Sequence, residues 1–265
     1  MPVITEPLAP TKEREIDVAV CRAILYDVLA MSLSPPTRVM LSRLEADGAC
    51  ETILDAAKAL ESPDGSAPVS PAVDRFFEAL RGSTLDRLGE SYQEIFGHTA
   101  HGQLPPYESE YGSGDVFRQA QELADIGGFY RAFGLEMSRS RHERNDHIAA
   151  ECEFLSLLAT KEAYDVVEGD LESCEAVRKA ERLFLRDHAA GFGRAFARSL
   201  ERSSGHALYR AAGQLCFDFL TSECSRFEVP PGREVLELRP TVEAEPPMAC
   251  GGCELANLPG TSPDG

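Results

Sequence analysis

Apolar residues recur at helical spacing along most of the chain. Between Glu13 and Leu33 they lie three or four positions apart, which predicts a helix that Pro35 and Pro36 end. The same spacing predicts helices over Thr37–Ala46, Cys50–Leu60, Val73–Leu80, Leu85–Phe96 (capped by Ser83 or Thr84 and ended by Gly97), Asp115–Phe133, a long segment capped by Asn145 or Asp146, Leu171–Leu200 and His206–Ser222. The alternation typical of strands is confined to Val235–Leu238. The pattern therefore predicts an all-α fold.

Proline and glycine divide the chain into three parts. Residues 1–11 are Pro-rich and are expected to be flexible, and residues 12–228 carry the helical pattern. Residues 229–265 form an acidic tail rich in Pro and Gly, which we also expect to be flexible. Within the helical part, the longest irregular stretch is Gly97–Gly114, and long loops in compact domains are often functional. We therefore expect one helical domain with a candidate site on this loop.

The charge balance narrows the class of partner. The chain has 26 basic and 44 acidic residues, for a net charge of −18, and 43% of its residues are hydrophobic, which is enough for a core. This balance disfavours nucleic acid and anionic membrane surfaces, which attract clustered Lys and Arg. It suits a basic partner, such as a peptide that carries arginines. The alternative is that the charge serves only solubility.

The expected location is the cytoplasm. The first ten residues lack the basic and apolar regions of a signal peptide, and no apolar run reaches the roughly 18–20 residues that cross a bilayer, so no stable membrane insertion is expected. Six of the eight cysteines lie within helical patterns, where we expect them to be reduced and mostly buried.

The other two cysteines, Cys250 and Cys253, are separated by two glycines. Two thiolates at this spacing can chelate one metal ion, but a structural zinc site needs about four ligands and the chain has no second Cys-x-x-Cys pair. Zinc shared between two tails, or between the tail and His98 and His101, is one interpretation. A redox pair, or an exposed dithiol with a partner-dependent role or none, are the others.

Three short segments carry the remaining candidate chemistry. They are Tyr92-Gln-Glu-Ile-Phe96, Pro105-Pro-Tyr-Glu-Ser109, and Glu143-Arg-Asn-Asp-His-Ile148 leading into Glu151-Cys-Glu-Phe154. Asp146 could accept the free amides at a helix start, and His147 lies one turn before Glu151, so that it could donate to this carboxylate while its other nitrogen meets a ligand. Taken singly, Asp146 and His147 are more often only a cap and a polar neighbour, and Tyr92 and Phe96 are more often core residues.

Together and in this order, the segments resemble the TorD/DmsD (NarJ-like) family of chaperones, which escort molybdenum-cofactor enzymes before export or assembly. Ile95 and Cys152 replace leucines of the family pattern, and both keep an apolar side chain. The resemblance covers residues 15–225, with its specific motifs confined to 92–154.

The resemblance implies a single-domain helical bundle of the TorD-like type with a flexible C-terminal tail. It also implies a groove near residues 97–114 and the Asp146-His147 turn, which would bind a twin-arginine leader or the N-terminus of an apoenzyme. The leader's arginines would meet the carboxylates of Glu108, Glu110, Asp146 and Glu151, and its apolar part would pack on Tyr107 and Tyr111. The implied partner-binding residues are Tyr107, Glu108, Ser109, Tyr111, Arg144, Asp146, His147 and Glu151.

We therefore expect a binding protein and not an enzyme. The chain lacks phosphate-binding glycine loops, a nucleophile elbow and a His-Glu-x-x-His motif, and the resemblance implies no cofactor of its own. The expected partner is the apo catalytic subunit of a DMSO-reductase-type molybdoenzyme, or its leader, bound by a monomer or homodimer. The alternatives are an acidic helical regulatory protein with another basic partner, and a metal-handling protein centred on Cys250 and Cys253.

Overall fold

The predicted all-α fold is confirmed in a computed structural model that describes residues 11–61, 68–97, 103–112, 116–136 and 143–239. The α-helices are α1 (Lys12–Leu33), α2 (Arg38–Leu44), α3 (Ala49–Leu60), α4 (Ser70–Leu80), α5 (Leu85–Phe96), α6 (Val116–Ala132), α7 (Ile148–Glu168), α8 (Leu171–Phe184), α9 (Arg194–Ser203) and α10 (Ala207–Arg226). A π-helical segment, Leu185–Gly193, joins α8 to α9, and Glu108–Glu110 forms one 3-10 turn. No β-strand occurs in these ranges, which contain two isolated β-bridges.

Threonines begin several helices, as the sequence indicates. The side chains of Thr11, Thr37 and Thr84 accept hydrogen bonds from backbone amides in the first turns of α1, α2 and α5. Thr84 is therefore the cap of α5, as one of the two predicted candidates. The single helix predicted over Leu171–Leu200 is instead interrupted by the π-helical segment, where the backbone carries wider turns.

The bundle is built around contacts that α1 and α10 make with other helices. α1 packs lengthwise on α7, and α10 packs on α9 and α4. Gly213 allows α10 to approach α9, because a Cβ at this position would lie 2.8 Å from the Ala197 carbonyl oxygen. Phe76, Phe196 and Phe219 are fully buried in the core, where each large apolar side chain contributes about 1.5–3 kcal/mol.

A charged cluster lies inside this apolar core. The guanidinium of Arg22 in α1, 1% exposed, donates to Glu162 in α7 at 2.6 Å and to Glu181 in α8 and Glu223 in α10 at 2.8 Å each. The Tyr26 hydroxyl also donates to Glu223, at 3.0 Å. Burial raises the pKa of Glu181 to about 8 against the opposing charge of Arg22, so that a proton on Glu181 reduces the negative charge in the core. The Arg22 cluster thus joins four helices.

The ends of the chain are described in part. Residues 1–10 and 240–265 lie outside the described residues, whereas 229–239 continue from α10 and lie against the helical body. Across the part of the chain that is described, no helix combines the length and the apolar character needed to cross a membrane.

Candidate functional site

The structure brings the motif segments together. The motif loop, residues 103–112, lies beside the start of α7 and forms an antiparallel bridge with it. The amide of Glu108 donates to the Asp146 carbonyl oxygen, and the amide of Ile148 donates to the Pro106 carbonyl oxygen, each at 2.9 Å. Two segments 40 residues apart in the chain are thereby held in one register.

Asp146 is the centre of the polar contacts between the motif loop and α7. Its carboxylate, 0% exposed, accepts from the amide of Ser109 at 3.1 Å, from the Ser109 hydroxyl at 2.7 Å and from the guanidinium of Arg144 at 2.7 and 2.9 Å. Arg144 also donates to Glu110 at 2.6 Å. The Asp146 carboxylate therefore binds the motif loop and not the helix amides, and the prediction that Asn145 or Asp146 caps α7 is wrong.

His147 caps α7 in their place. Its Nδ1 accepts a hydrogen bond from the amide of Ala149 at 3.0 Å, which leaves Nε2 to carry the ring proton, 3.4 Å from the Tyr92 hydroxyl. Burial lowers the pKa of His147 to about 4, so the ring is neutral at pH 7. The expected hydrogen bond between His147 and Glu151 is not formed, because the helix start already uses Nδ1.

Glu151 lies below the motif loop and is 0% exposed. Neither of its carboxyl oxygens accepts a hydrogen bond from a described donor, and the Glu108 carboxylate lies within reach of a proton on Glu151. Burial, followed by the nearby charges of Glu108 and Asp146, raises the pKa of Glu151 well above its ordinary value, which favours the neutral acid. A neutral Glu151 avoids an uncompensated charge in the interior.

His188, which no motif indicated, also faces this region from the π-helical segment. Its Nδ1 lies 3.0 Å from the Glu108 carboxylate, and its Nε2 lies 3.2 Å from the Asp125 carboxylate. Burial alone would lower the pKa of His188, but the hydrogen bond and charge of Glu108 and the charge of Asp125 outweigh burial and raise it. The sequence could not predict these contacts of His188, because a single histidine in a helical pattern is not distinctive and both Glu108 and Asp125 are distant from it in the chain.

The two tyrosines of the motif loop differ in accessibility. Tyr107 is half-buried: its hydroxyl donates to Glu143 at 2.9 Å, and the Arg144 guanidinium lies 4.5 Å from its ring centre. Tyr111 is buried, and its hydroxyl donates to the Pro105 carbonyl oxygen at 2.8 Å. Of these two rings, Tyr107 is the one with a face available to another molecule.

The eight residues implied as partner-binding thus lie together, but they are not equally accessible. Tyr107, Glu108 and Arg144 keep some exposed surface. Ser109, Tyr111, Asp146, His147 and Glu151 are buried. Their direct contact with a partner stays a prediction, and the buried five have the contacts expected of residues that hold the loop and helix in place.

A groove of about 390 Å³ borders the motif between α1, α2 and the start of α7. Apolar side chains form much of its surface, and Val39 is 68% exposed there. Its apolar lining includes Ala30, Met31, Pro35, Val39, Met40, Ala149 and Ala150. Its charged lining includes the acids Asp27, Glu143 and Glu153 and the basic Arg43, which pairs with Asp27 at 2.7 Å. An apolar surface with carboxylates at its edge can bind an apolar segment that is flanked by basic residues.

The α2 part of the groove was not predicted from the sequence. In α2, Met40 and Leu44 are buried, whereas Val39 points away from that buried face. A single exposed valine on a short helix is common and indicates nothing by itself. A larger cleft of about 730 Å³ between α4 and α10 has lining charges of both signs, and no motif residue borders it, so we place the site at the smaller groove.

The predicted metal ligands Cys250 and Cys253 lie outside the described residues, as do His98 and His101. In the described ranges, no group of three or more His, Cys, Asp or Glu side chains is arranged to hold a metal ion. Zinc at the two tail cysteines stays a prediction.

Comparison with known proteins agrees with the motifs. Residues 62–198, just over half of the chain, match a family described as nitrate reductase delta subunit. A stretch of 68 residues is 37% identical to the perchlorate reductase assembly chaperone protein of Dechloromonas aromatica (strain RCB), and it spans 25% of this chain and 29% of that relative. The matched family is one of assembly chaperones and not of enzymes. The chain belongs to this family, which confirms the resemblance that its motifs indicate.

Proposed function

We propose that this protein is an assembly chaperone that binds the catalytic subunit of a reductase through the groove between α1, α2 and α7. The groove carries this proposal, because it joins an exposed apolar surface to the segments that define the family. A chaperone of this kind acts by binding and needs no catalytic group or cofactor of its own.

The chemistry of the groove suits one class of ligand. Val39 and Met31 offer apolar surface and Glu143 places a carboxylate beside it, whereas Asp27 is paired with Arg43 in the same groove. The net charge of −18 favours the approach of a basic segment over long distances. A peptide with a short apolar run and flanking arginines fits both features, and a twin-arginine leader is such a peptide.

The buried motif residues support this groove indirectly. Asp146 and Ser109 fix the motif loop, and His147 fixes the first turn of α7, whose Ala149 and Ala150 line the groove. The partly exposed Tyr107 and Arg144 would contact the partner. This division replaces the expectation that Asp146 and Glu151 meet the partner's arginines directly, since both carboxyls are inaccessible from outside.

The partner proposed here is the apo catalytic subunit of a DMSO-reductase-type molybdoenzyme, or its leader, in the cytoplasm. The name of the matched relative refers to assembly of a reductase, which supports this class of client. Binding to the unfinished subunit would hold it in a state competent for cofactor insertion and shield it from proteolysis, and a change in the subunit on completion would release it.

The test is affinity purification of the tagged full chain from its native cells, grown so that molybdoenzymes are expressed, with mass spectrometry of the eluate. The informative variant is Val39→Asp, which places a charge in the groove. Its matched control is Val167→Asp, another exposed valine, which lies near the opposite end of α7. We expect one molybdopterin-enzyme subunit to co-purify with wild type and V167D, and at least tenfold less of it with V39D.

Two results would contradict the proposal. Absence of any such subunit would reject the client class, and equal recovery with V39D and V167D would reject the groove. Size-exclusion chromatography with light scattering on the same preparations decides between monomer and homodimer.

A further inference from the structure

The segment that follows α10 crosses the protein as an extended strap. The strap, residues 229–239, begins where the buried Arg194 donates to the Pro231 carbonyl oxygen. Gly232 then turns with a φ of +65°, and a Cβ at this position would lie 2.8 Å from the Ala190 carbonyl oxygen of the π-helical segment. Only glycine fits this close, left-handed turn without strain, so the path of the strap is built into the sequence.

The far end of the strap pairs with the motif loop. The two form an antiparallel bridge, in which the Gly112 amide donates to the Glu237 carbonyl oxygen at 2.9 Å and the Arg239 amide donates to the Glu110 carbonyl oxygen at 2.8 Å. An extended segment is thus added to the backbone edge of the loop, as peptides are added to sheet edges in other recognition modes.

Arg239 fills a small polar subsite at this edge. Its Nε donates to the Ser109 carbonyl oxygen at 2.7 Å, and its Nη2 donates to the Glu122 carboxylate at 2.5 Å. The side chain is only 11% exposed. A carbonyl oxygen and a carboxylate on one side match the donor geometry of a guanidinium better than that of an ammonium group. We call these groups, with the backbone of Glu110 and Gly112, the arginine subsite.

The contacts of Arg239 also limit how firmly the strap is held. Its Nη1 is buried and has no hydrogen-bond partner among the described residues, and Glu122 is partly exposed to water. An unsatisfied buried donor opposes binding, and a partly exposed ion pair contributes little. The far end of the strap is held by two backbone hydrogen bonds, by the hydrogen bond from Arg239 to Ser109 and by this ion pair, and such an end can exchange with a competing segment while Arg194 retains the start of the strap.

We propose that the strap is an internal ligand, which occupies an arginine-binding subsite that the client uses. A client segment that presents an arginine from an extended backbone would displace Arg239 and pair with the same loop edge. This inference rests on the proposed function, because it assigns a second contact region to the same client. The competition would set the affinity for the client: a strap that is closed about nine-tenths of the time weakens binding about tenfold.

The first experiment needs no client. Hydrogen exchange of the Gly112 amide is compared in the full-length wild type, in Arg239→Ala and in Arg233→Ala. Arg233 is an exposed arginine of the same strap and is the matched control. We expect exchange at Gly112 to be at least tenfold faster in R239A and unchanged in R233A. Glu122→Gln, which keeps Arg239 but removes its carboxylate partner, should act in the same direction. Equal exchange in all four proteins would overturn the inference.

The second experiment measures the affinity of the same proteins for a synthetic peptide of the N-terminal segment of the recovered catalytic subunit. We expect R239A to bind about tenfold more tightly than wild type and R233A to bind like wild type. If wild type and R239A bind equally, the strap does not compete, and the proposed function stands without it. If no variant binds the subunit or its peptide, the proposed function and the competition both fail.

Discussion

Two of the arginine–carboxylate networks among the described residues differ in depth and in reach. The Arg22 cluster lies in the core, where one guanidinium meets Glu162, Glu181 and Glu223 from three other helices. The Arg144 network lies at the surface, where a guanidinium that is 32% exposed meets Glu110 and Asp146. The first joins elements 140 to 201 residues apart in the chain, whereas the second joins a loop to the start of a neighbouring helix.

The difference in burial between the two networks gives them different roles, one in stability and one in recognition. A charge in the core must be paired, because an uncompensated one costs several kcal/mol, and the guanidinium of Arg22 is buried, donates to three carboxylates and is inaccessible to another molecule. Arg144 is partly exposed, lies over the ring of Tyr107, and follows the groove residue Glu143 in the chain. The Arg144 network can therefore both order the motif loop and present a surface to a partner.

The largest expected effect tests the core network. Arg22→Met removes the buried guanidinium that pairs with Glu162 and Glu223, and leaves each carboxylate with a single partly exposed arginine, Arg178 or Arg226. We expect the free energy of unfolding to fall by about 3–5 kcal/mol. Urea denaturation followed by circular dichroism measures this change.

The control for Arg22 is Arg43→Met, which removes an exposed arginine paired with Asp27 at 2.7 Å. An exposed pair of this kind is worth about 0–1 kcal/mol, so R43M should stay close to wild type. Similar losses in R22M and R43M would show that the Arg22 cluster has no special weight in the core.

The second largest expected effect is a pH dependence of the unfolding free energy, which arises from His147 in the motif region. His147 is neutral in the folded protein, with a pKa lowered by burial to about 4, whereas in the unfolded chain it takes up a proton near pH 6.5. Its contribution to stability is therefore fully present above pH 6.5 and is lost as the pH falls through about 4. The loss approaches ~3 kcal/mol at lower pH.

His147→Asn isolates this contribution, since asparagine can cap α7 but does not titrate in this range. We expect the unfolding free energy of wild type to fall more steeply than that of H147N between pH 6.5 and 4. Parallel curves for the two proteins would contradict the assignment of this pH dependence to His147.

The sequence predicted the helices well because their spacing and caps are local. Thr84 and Gly97 mark the ends of α5 as predicted. The π-helical segment was missed, because Leu185–Gly193 keeps the apolar spacing of a helix and only the changed hydrogen bonding distinguishes it. The cap of α7 was assigned to Asn145 or Asp146 on residue preference, but Asp146 is taken up by Ser109 and Arg144.

The candidate site was predictable only in part. The motif residues were predicted because the segments that carry them are long enough to be recognised as patterns, and in the structure these residues do lie together. The groove residue Val39, the buried His188 and the arginine of the strap were missed, since each acquires its role from a contact with a distant part of the chain. We expected Asp146 and Glu151 to contact the partner, but both are buried. No sequence pattern distinguishes an inward-facing carboxylate near a helix start from an outward-facing one.

A third, smaller effect tests the surface network. Asp146→Asn keeps the shape of the side chain but turns an amide donor toward the guanidinium of Arg144 or the hydroxyl of Ser109. We expect a loss of about 1–3 kcal/mol, less than for R22M, because Arg144 keeps its ion pair with Glu110 and its access to water. Hydrogen exchange at the Ser109 amide should accelerate. Asp86→Asn, an exposed acid in the first turn of α5, is the control and should change stability by about 0.5 kcal/mol or less.

The smallest effect concerns the accessible edge of the Arg144 network. Tyr107→Phe removes the hydroxyl that donates to Glu143 and keeps the ring beside Arg144, so we expect a loss of about 0.5–1 kcal/mol in unfolding free energy. Glu143→Gln and the double variant complete a double-mutant cycle. A coupling of about 0.5 kcal/mol would show that this contact orders the edge of the groove. Simple additivity would mean that this hydrogen bond does not order the edge of the groove, and that the ring of Tyr107 is free to turn toward a partner.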